Sequence, residues 1–222
     1  MRIPRSLKIC VLIAALCPYV FGQDTPGKSA PAGEGKGIPP RAAPADYQAH
    51  APAGKVTVAA EFLGHSIPTS KGTLSTEDYV VVETALFGPP DARLKISYAD
   101  FSLRVNEKKA PVPGQPFGVV FKSLKDPEWV PEGGAEAKSK SSFSTGGKAG
   151  QGDSTPAPVR MPIPLQRAMQ ERVQKAALPE GDRALPQAGL IFFPYHGKET
   201  SIHSLELTYA GEAGTATLTL QP

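Results

Sequence analysis

Nine residues near the middle of the chain, Tyr79-Val80-Val81-Val82-Glu83-Thr84-Ala85-Leu86-Phe87, are β-branched and apolar on both faces at their start, and Gly88-Pro89-Pro90 stops them. Such a run suits a central strand, whose two faces are both covered. Around it lie segments that alternate as half-buried strands do. Val56-Thr57-Val58-Ala59-Ala60-Glu61-Phe62 has apolar side chains at its even positions. Leu94, Ile96 and Tyr98 alternate, and Phe101, Leu103 and Val105 then alternate with the parity reversed. That reversal predicts a turn or bulge near Ala99-Asp100. Phe117, Val119 and Phe121 read as one further strand.

A second block of strands closes the sequence. Gly189-Leu190-Ile191-Phe192-Phe193 is a continuous apolar run ended by Pro194. Leu205, Leu207 and Tyr209 alternate with Glu206 and Thr208, and Ala216, Leu218 and Leu220 with Thr217 and Thr219. Ala210-Gly211-Glu212-Ala213-Gly214 between them reads as a hairpin loop. Three strands make a thin sheet by themselves, so they are expected to complete sheets begun by residues 54–131. Between the blocks, about 133–158 is a Gly/Ser/Lys-rich stretch expected to be disordered. Leu165, Met169, Val173 and Ala176 form a narrow apolar stripe, which predicts a helix over about 165–178 between Pro164 and Pro179. The expectation is a single discontinuous domain over 54–222: a mainly β, antiparallel sandwich of about seven to eight strands with one short amphipathic helix.

The N-terminus reads as an export signal. Arg2, Arg5 and Lys8 precede the short apolar run Ile9–Cys17, Pro18 breaks it, and Val20-Phe21-Gly22 offers a cleavage site near Gly22. The run is too short to span a bilayer stably. Leu16 and Pro18 around Cys17 argue against lipidation. Both cysteines, Cys10 and Cys17, lie in this segment, so a cleaved chain has no disulfide and no thiolate site. Without Arg2, Arg5 and Lys8, 21 basic residues balance 21 acidic ones. A neutral chain has no net field to attract phosphates, which disfavours nucleic acid as a partner. Residues 23–53, rich in Pro, Gly and Ala, are expected to form a disordered tether.

No catalytic, metal-binding or cofactor-binding constellation is visible. His50, His65, His196 and His203 have no zinc-helix spacing, no Gly-x-Ser-x-Gly elbow occurs, and the glycine clusters neither follow a strand nor open a helix. His203 shares parity with Leu205, which predicts the end of an inward face. His196 falls in a predicted turn. Glu77-Asp78 and Asp126-Pro127-Glu128 are acidic pairs, short of a calcium site. Trp129, the single tryptophan, is placed at the edge of the core or as a flat contact surface. The candidate surface or partner contacts are therefore Trp129, His196, His203, Met169 and Val173.

The succession Tyr79-Val80-Val81-Val82-Glu83, Asp100–Val105, Ala188–Phe193 and Leu205–Tyr209 resembles secreted immunoglobulin-like domains of bacterial envelopes, related to a mycobacterial immunoprotective extracellular antigen. The resemblance covers about 54–131 and 187–220 and implies an immunoglobulin-like sandwich with no known active site. The expectation that follows is a periplasmic or extracellular binding or structural module whose partner is a protein or glycan of the envelope. Two other readings stand beside it: a hydrolase of envelope polymers using loop carboxylates and a histidine, and an assembly subunit docking through helix 165–178.

Overall fold

The computed structural model describes residues 35–108, 110–130 and 161–222. Nine strands precede the helix: β1 (Ala49–Ala53), β2 (Val56–Phe62), β3 (Ser66–Thr69), β4 (Gly72–Thr76), β5 (Tyr79–Phe87), β6 (Arg93–Ile96), β7 (Phe101–Val105), β8 (Val112–Pro113) and β9 (Leu124–Lys125). Helix α1 (Ile163–Ala176) follows, then β10 (Gly181–Ala184), β11 (Gln187–Pro194), β12 (Leu205–Gly211) and β13 (Gly214–Leu220). Two four-stranded antiparallel sheets form a sandwich, in the orders β1-β2-β5-β11 and β13-β12-β7-β8. Both blocks of sequence feed both sheets, because β11 pairs with β5 and β12 with β7.

The valine-rich run is the central strand β5, paired with β2 and β11 on either side. Its alternate residues divide between two cores. Val80, Val82 and Leu86 enter the sandwich with Phe101, Leu103, Leu207 and Leu218. Val81 faces the other way, into a cluster with Leu190, Phe192, Ile67, Leu74 and the α1 residues Met169, Val173 and Ala176. The first sheet is thus covered twice, by the second sheet on one face and by α1 with the β3–β4 hairpin on the other. Double coverage is why β5 and β11 are buried along nearly their whole length. Burying each large aliphatic side chain contributes about 1.5–3 kcal/mol, so α1 adds substantially to the domain.

Several local expectations change. Residues 35–53 are no tether: they include a 3-10 turn at Pro44–Asp46 and strand β1. This strap crosses the first sheet, and Tyr47 packs with Ala59, Ala85 and Ala188. Phe117–Lys122 is a 3-10 helix, not a strand. The three-residue repeat buries Phe117 and Val120 on one side, and Pro116 precedes it. Helix α1 stops at Ala176, before the predicted end, because Ala177 turns extended and Leu178 N–H donates to Leu190 O (3.0 Å). The parity change near Ala99-Asp100 is a 3-10 turn at Tyr98–Asp100, where the chain passes from β6, paired with β10, into the second sheet. The expected signal at 1–22, the 23–34 part of the tether and the insertion at about 133–158 lie outside the described residues.

Strand β11 is the edge of its sheet, where unpaired backbone invites aggregation. Three separate segments close it. Ile38 N–H donates to Ala188 O (2.9 Å), Leu178 N–H to Leu190 O (3.0 Å) and Gln115 N–H to Phe192 O (2.8 Å).

Tyr98 ties the β6–β7 turn to the helix exit, its hydroxyl donating to Leu178 O at 2.6 Å. Burial first, and the charge of Glu180 second, push this phenol well above its ordinary pKa of 10.0. The folded state therefore keeps a proton that the unfolded chain releases near pH 10, so stability present below that pH is lost as pH rises. The slope is about 1.4 kcal/mol per pH unit for one such group. Tyr98→Phe is expected to make the fall of the unfolding free energy, measured by urea titration, shallower by up to that amount as pH rises above about 10. It should also cost about 1 kcal/mol at pH 7 through the lost hydrogen bond. Burial raises Tyr47 and Tyr209 as well, so some alkaline slope will remain.

Candidate functional site

A carboxylate interrupts the apolar run of β5. Glu83 is only 7% exposed. It points to the helix side of the sheet, and its register partner on β2 is Glu61. Two acids opposite each other on neighbouring strands repel unless a cation intervenes. The strap supplies one: Arg41 pairs with Glu61 and places Nη2 3.0 Å from Glu83 Oε2. The guanidinium lies 4.5 Å from the ring centre of Tyr47 and donates through Nη1 to Asp46 O at 2.7 Å. Burial alone would lower the pKa of Arg41, but the hydrogen bonds and charges of Glu61 and Glu83 outweigh it and hold the group above its ordinary value. The cluster still has two negative charges to one positive.

Beside Glu83 a cleft of about 440 Å³ opens between the strap, the β3–β4 hairpin and α1. Ile38, Pro39, Pro68 and Ala176 give it apolar walls, with Glu83 from the sheet and Lys175 from the helix as charged groups. Arg172 also borders it but is committed elsewhere. It donates to Thr69 Oγ1 (3.1 Å), Asp126 Oδ2 (3.3 Å), Lys71 O (2.6 Å) and Gly72 O (3.0 Å), which clamps the hairpin to α1. Among the described residues, no hydrogen bond or ion pair claims Glu83 Oε1 or Lys175 Nζ. Apolar walls with a few polar groups open to a ligand are the usual make-up of a small-molecule site.

Comparisons with protein-family models, curated proteins and solved structures find no match for this chain. The chemistry of the site itself is what bears on function.

The residues singled out from sequence are scattered. Met169 and Val173 are 1% and 0% exposed and belong to the core under the first sheet, so they are not surface contacts. The stripe they form is used up by Ile67, Val81 and Phe192 of their own chain. His203 lies outside β12, exposed, and Ile202 is buried in its place. The alternation that predicted an inward His203 ends where the strand begins, at Leu205. The His203 backbone N–H donates to Asn106 Oδ1 at 2.7 Å. His196 is exposed and meets Asp78 Oδ1 at 3.2 Å. Trp129 is half-buried in a turn closed by its N–H donating to Asp126 O (3.2 Å). Of the acidic pairs, Glu77 binds Lys125 and Asp126 binds Arg172. Among the described residues no three His, Cys, Asp or Glu side chains converge as a metal site, and no helix is long and apolar enough to cross a membrane.

Sequence reading passed over Glu83 and Arg41. The available signal was a lone charge inside Val80–Leu86, since a buried strand carries an acid only with a partner.

Proposed function

We propose that the chain is a non-enzymatic binding module of the bacterial envelope, exported by residues 1–22, and that it binds through the cleft floored by Glu83. The observation that carries this reading is a buried carboxylate with one unclaimed oxygen at the base of an apolar-walled cleft. Taking a carboxylate out of water costs several kcal/mol, and Arg41 offsets that cost while it also serves Glu61. Kinship with secreted immunoglobulin-like envelope domains belongs to the same proposal, and the two-sheet antiparallel sandwich is compatible with it. A hydrolase draws little support, because the His196–Asp78 pair stands 77% and 50% exposed, where water screens it.

Two measurements test the proposal. Mass spectrometry of the protein recovered from its native envelope fraction should find an N-terminus at Gln23, whereas an intact Met1 or a lipid-modified Cys17 would overturn export by cleavage. For the cleft, the low-mass soluble fraction of the same envelope is titrated into isotope-labelled protein. The amides of Thr69, Ser70 and Lys175 should shift. Ser70→Trp, a plug at the exposed rim, should abolish the shifts without moving Tm by more than about 2 °C. Shifts confined to the outer face of the second sheet, or none at all, would sink this assignment.

A further inference from the structure

We infer that the cleft takes a zwitterionic ligand of about dipeptide size, its ammonium on Glu83 and its carboxylate on Lys175; this rests on reading the cleft as the binding site. An ionised carboxylate only accepts and an ammonium only donates. Glu83 Oε2 already receives Arg41, which leaves Oε1 for a donor from outside. The charge balance says which kind of donor. Glu61 and Glu83 share the single cation Arg41, so the Glu83 end of the cleft keeps one negative charge in excess, opposite the unpaired Lys175 at the rim. A positive donor removes that excess and a neutral amide or hydroxyl does not, so ammonium is selected over alcohol.

Lys175 sets the other end. It projects from α1 into the rim of the cleft, while the neighbouring cation, Arg172, is neutralised by Asp126. A simple amine would leave Lys175 unmet and add a second cation beside it. A simple carboxylate would approach Glu83 with like charge. A molecule bearing both ends satisfies both groups, and Ile38, Pro39 and Pro68 cover an apolar body between them. The volume of about 440 Å³ lies toward the small end of ligand clefts and suits a short peptide, not a polymer strand.

The test titrates the full chain with leucyl-alanine, its N-acetyl derivative and its C-terminal amide, following the Thr69, Ser70 and Ala176 amides by NMR. Against the wild type, acetylation and amidation should each weaken binding about tenfold or more, as expected for loss of a charge-assisted hydrogen bond. In Glu83→Gln, acetylation should cost less than threefold. In Lys175→Ala, at an exposed helix position that does not threaten the fold, amidation should cost less than threefold. Equal losses in wild type and variants would overturn the assignment of the two ends. Cyclohexanol serves as a neutral apolar probe in the same titration. If it shifts the three amides and the dipeptide does not, the ligand class is wrong and the cleft stands; if neither shifts them, both readings fall.

Discussion

Val173→Asp is expected to cost about 3–5 kcal/mol or more and to lower Tm by roughly 10–15 °C, with loss of structure spreading beyond the helix. Val173 has no exposed surface and sits among Ile67, Val81, Leu190 and Phe192. A carboxylate placed there is an unpaired charge with no donor to meet it, the most expensive kind of core change. Against a total stability of about 5–15 kcal/mol, the loss is large. Glu171→Ala, on the exposed side of the same helix, should stay within about 0.5 kcal/mol and serves as the control. The comparison decides what α1 is for. A helix held for a partner would tolerate the aspartate and lose only an interaction. A helix that forms the third layer should melt together with β5 and β11, which a single cooperative transition in both far-UV and near-UV circular dichroism would report. A folded Val173→Asp protein of unchanged Tm would overturn the layered packing.

Much of the sandwich could be read from period alone, because its long strands obey one rule each. β5 shows as a central strand from its run and its Gly-Pro-Pro stop. The change of sheet at Tyr98–Asp100 shows as a shift of parity. What escaped were segments whose order comes from distant partners. The strap has little apolar content, yet Lys36 N–H donates to Gln174 O (3.1 Å), Gly37 N–H to Ala177 O (2.9 Å) and Ile38 N–H to Ala188 O (2.9 Å). Backbone donors leave no mark in composition, and the alanines of β1 are small for packing reasons that composition reads as low complexity. Phe117, Val119 and Phe121 fit a period of two, but Phe117 and Val120 fit a period of three equally well, and the second won. The cleft was invisible for the same reason as the strap. Glu83 gains meaning only through Arg41, 42 positions earlier, and Lys175 through the folding of α1 over the sheet. His203 erred in the opposite direction, by extending a true alternation past the end of its strand.

Gly189→Ala is expected to cost about 3 kcal/mol or more, with a Tm loss of roughly 6–12 °C, for the addition of a single methyl group. The reason is not backbone freedom but space. A Cβ at position 189 would fall well inside contact distance of Leu178 Cα and N, and 2.8 Å from the carbonyl carbon of Ala177. These are backbone atoms, so no side chain can rotate to relieve the overlap. The only escape is to move the helix exit off β11, which stretches the bond from Leu178 N–H to Leu190 O and loosens the Tyr98 anchor on Leu178 O. Hydrogen exchange at the Leu178 amide should therefore accelerate more than Tm alone would predict, since the damage is local before it is global. Gly118→Ala supplies the contrast: a Cβ there meets no atom within 4 Å, and the substitution should be neutral or mildly stabilising. The glycine of the Gly-Leu-Ile-Phe-Phe run thus sets how closely the third layer can approach the sandwich. The same approach positions Lys175 and Ala176 over Glu83, so even a folded Gly189→Ala protein should bind leucyl-alanine less tightly. If Tm and binding were both unchanged, the close contact between β11 and the helix exit would be wrong, and with it the geometry of the cleft.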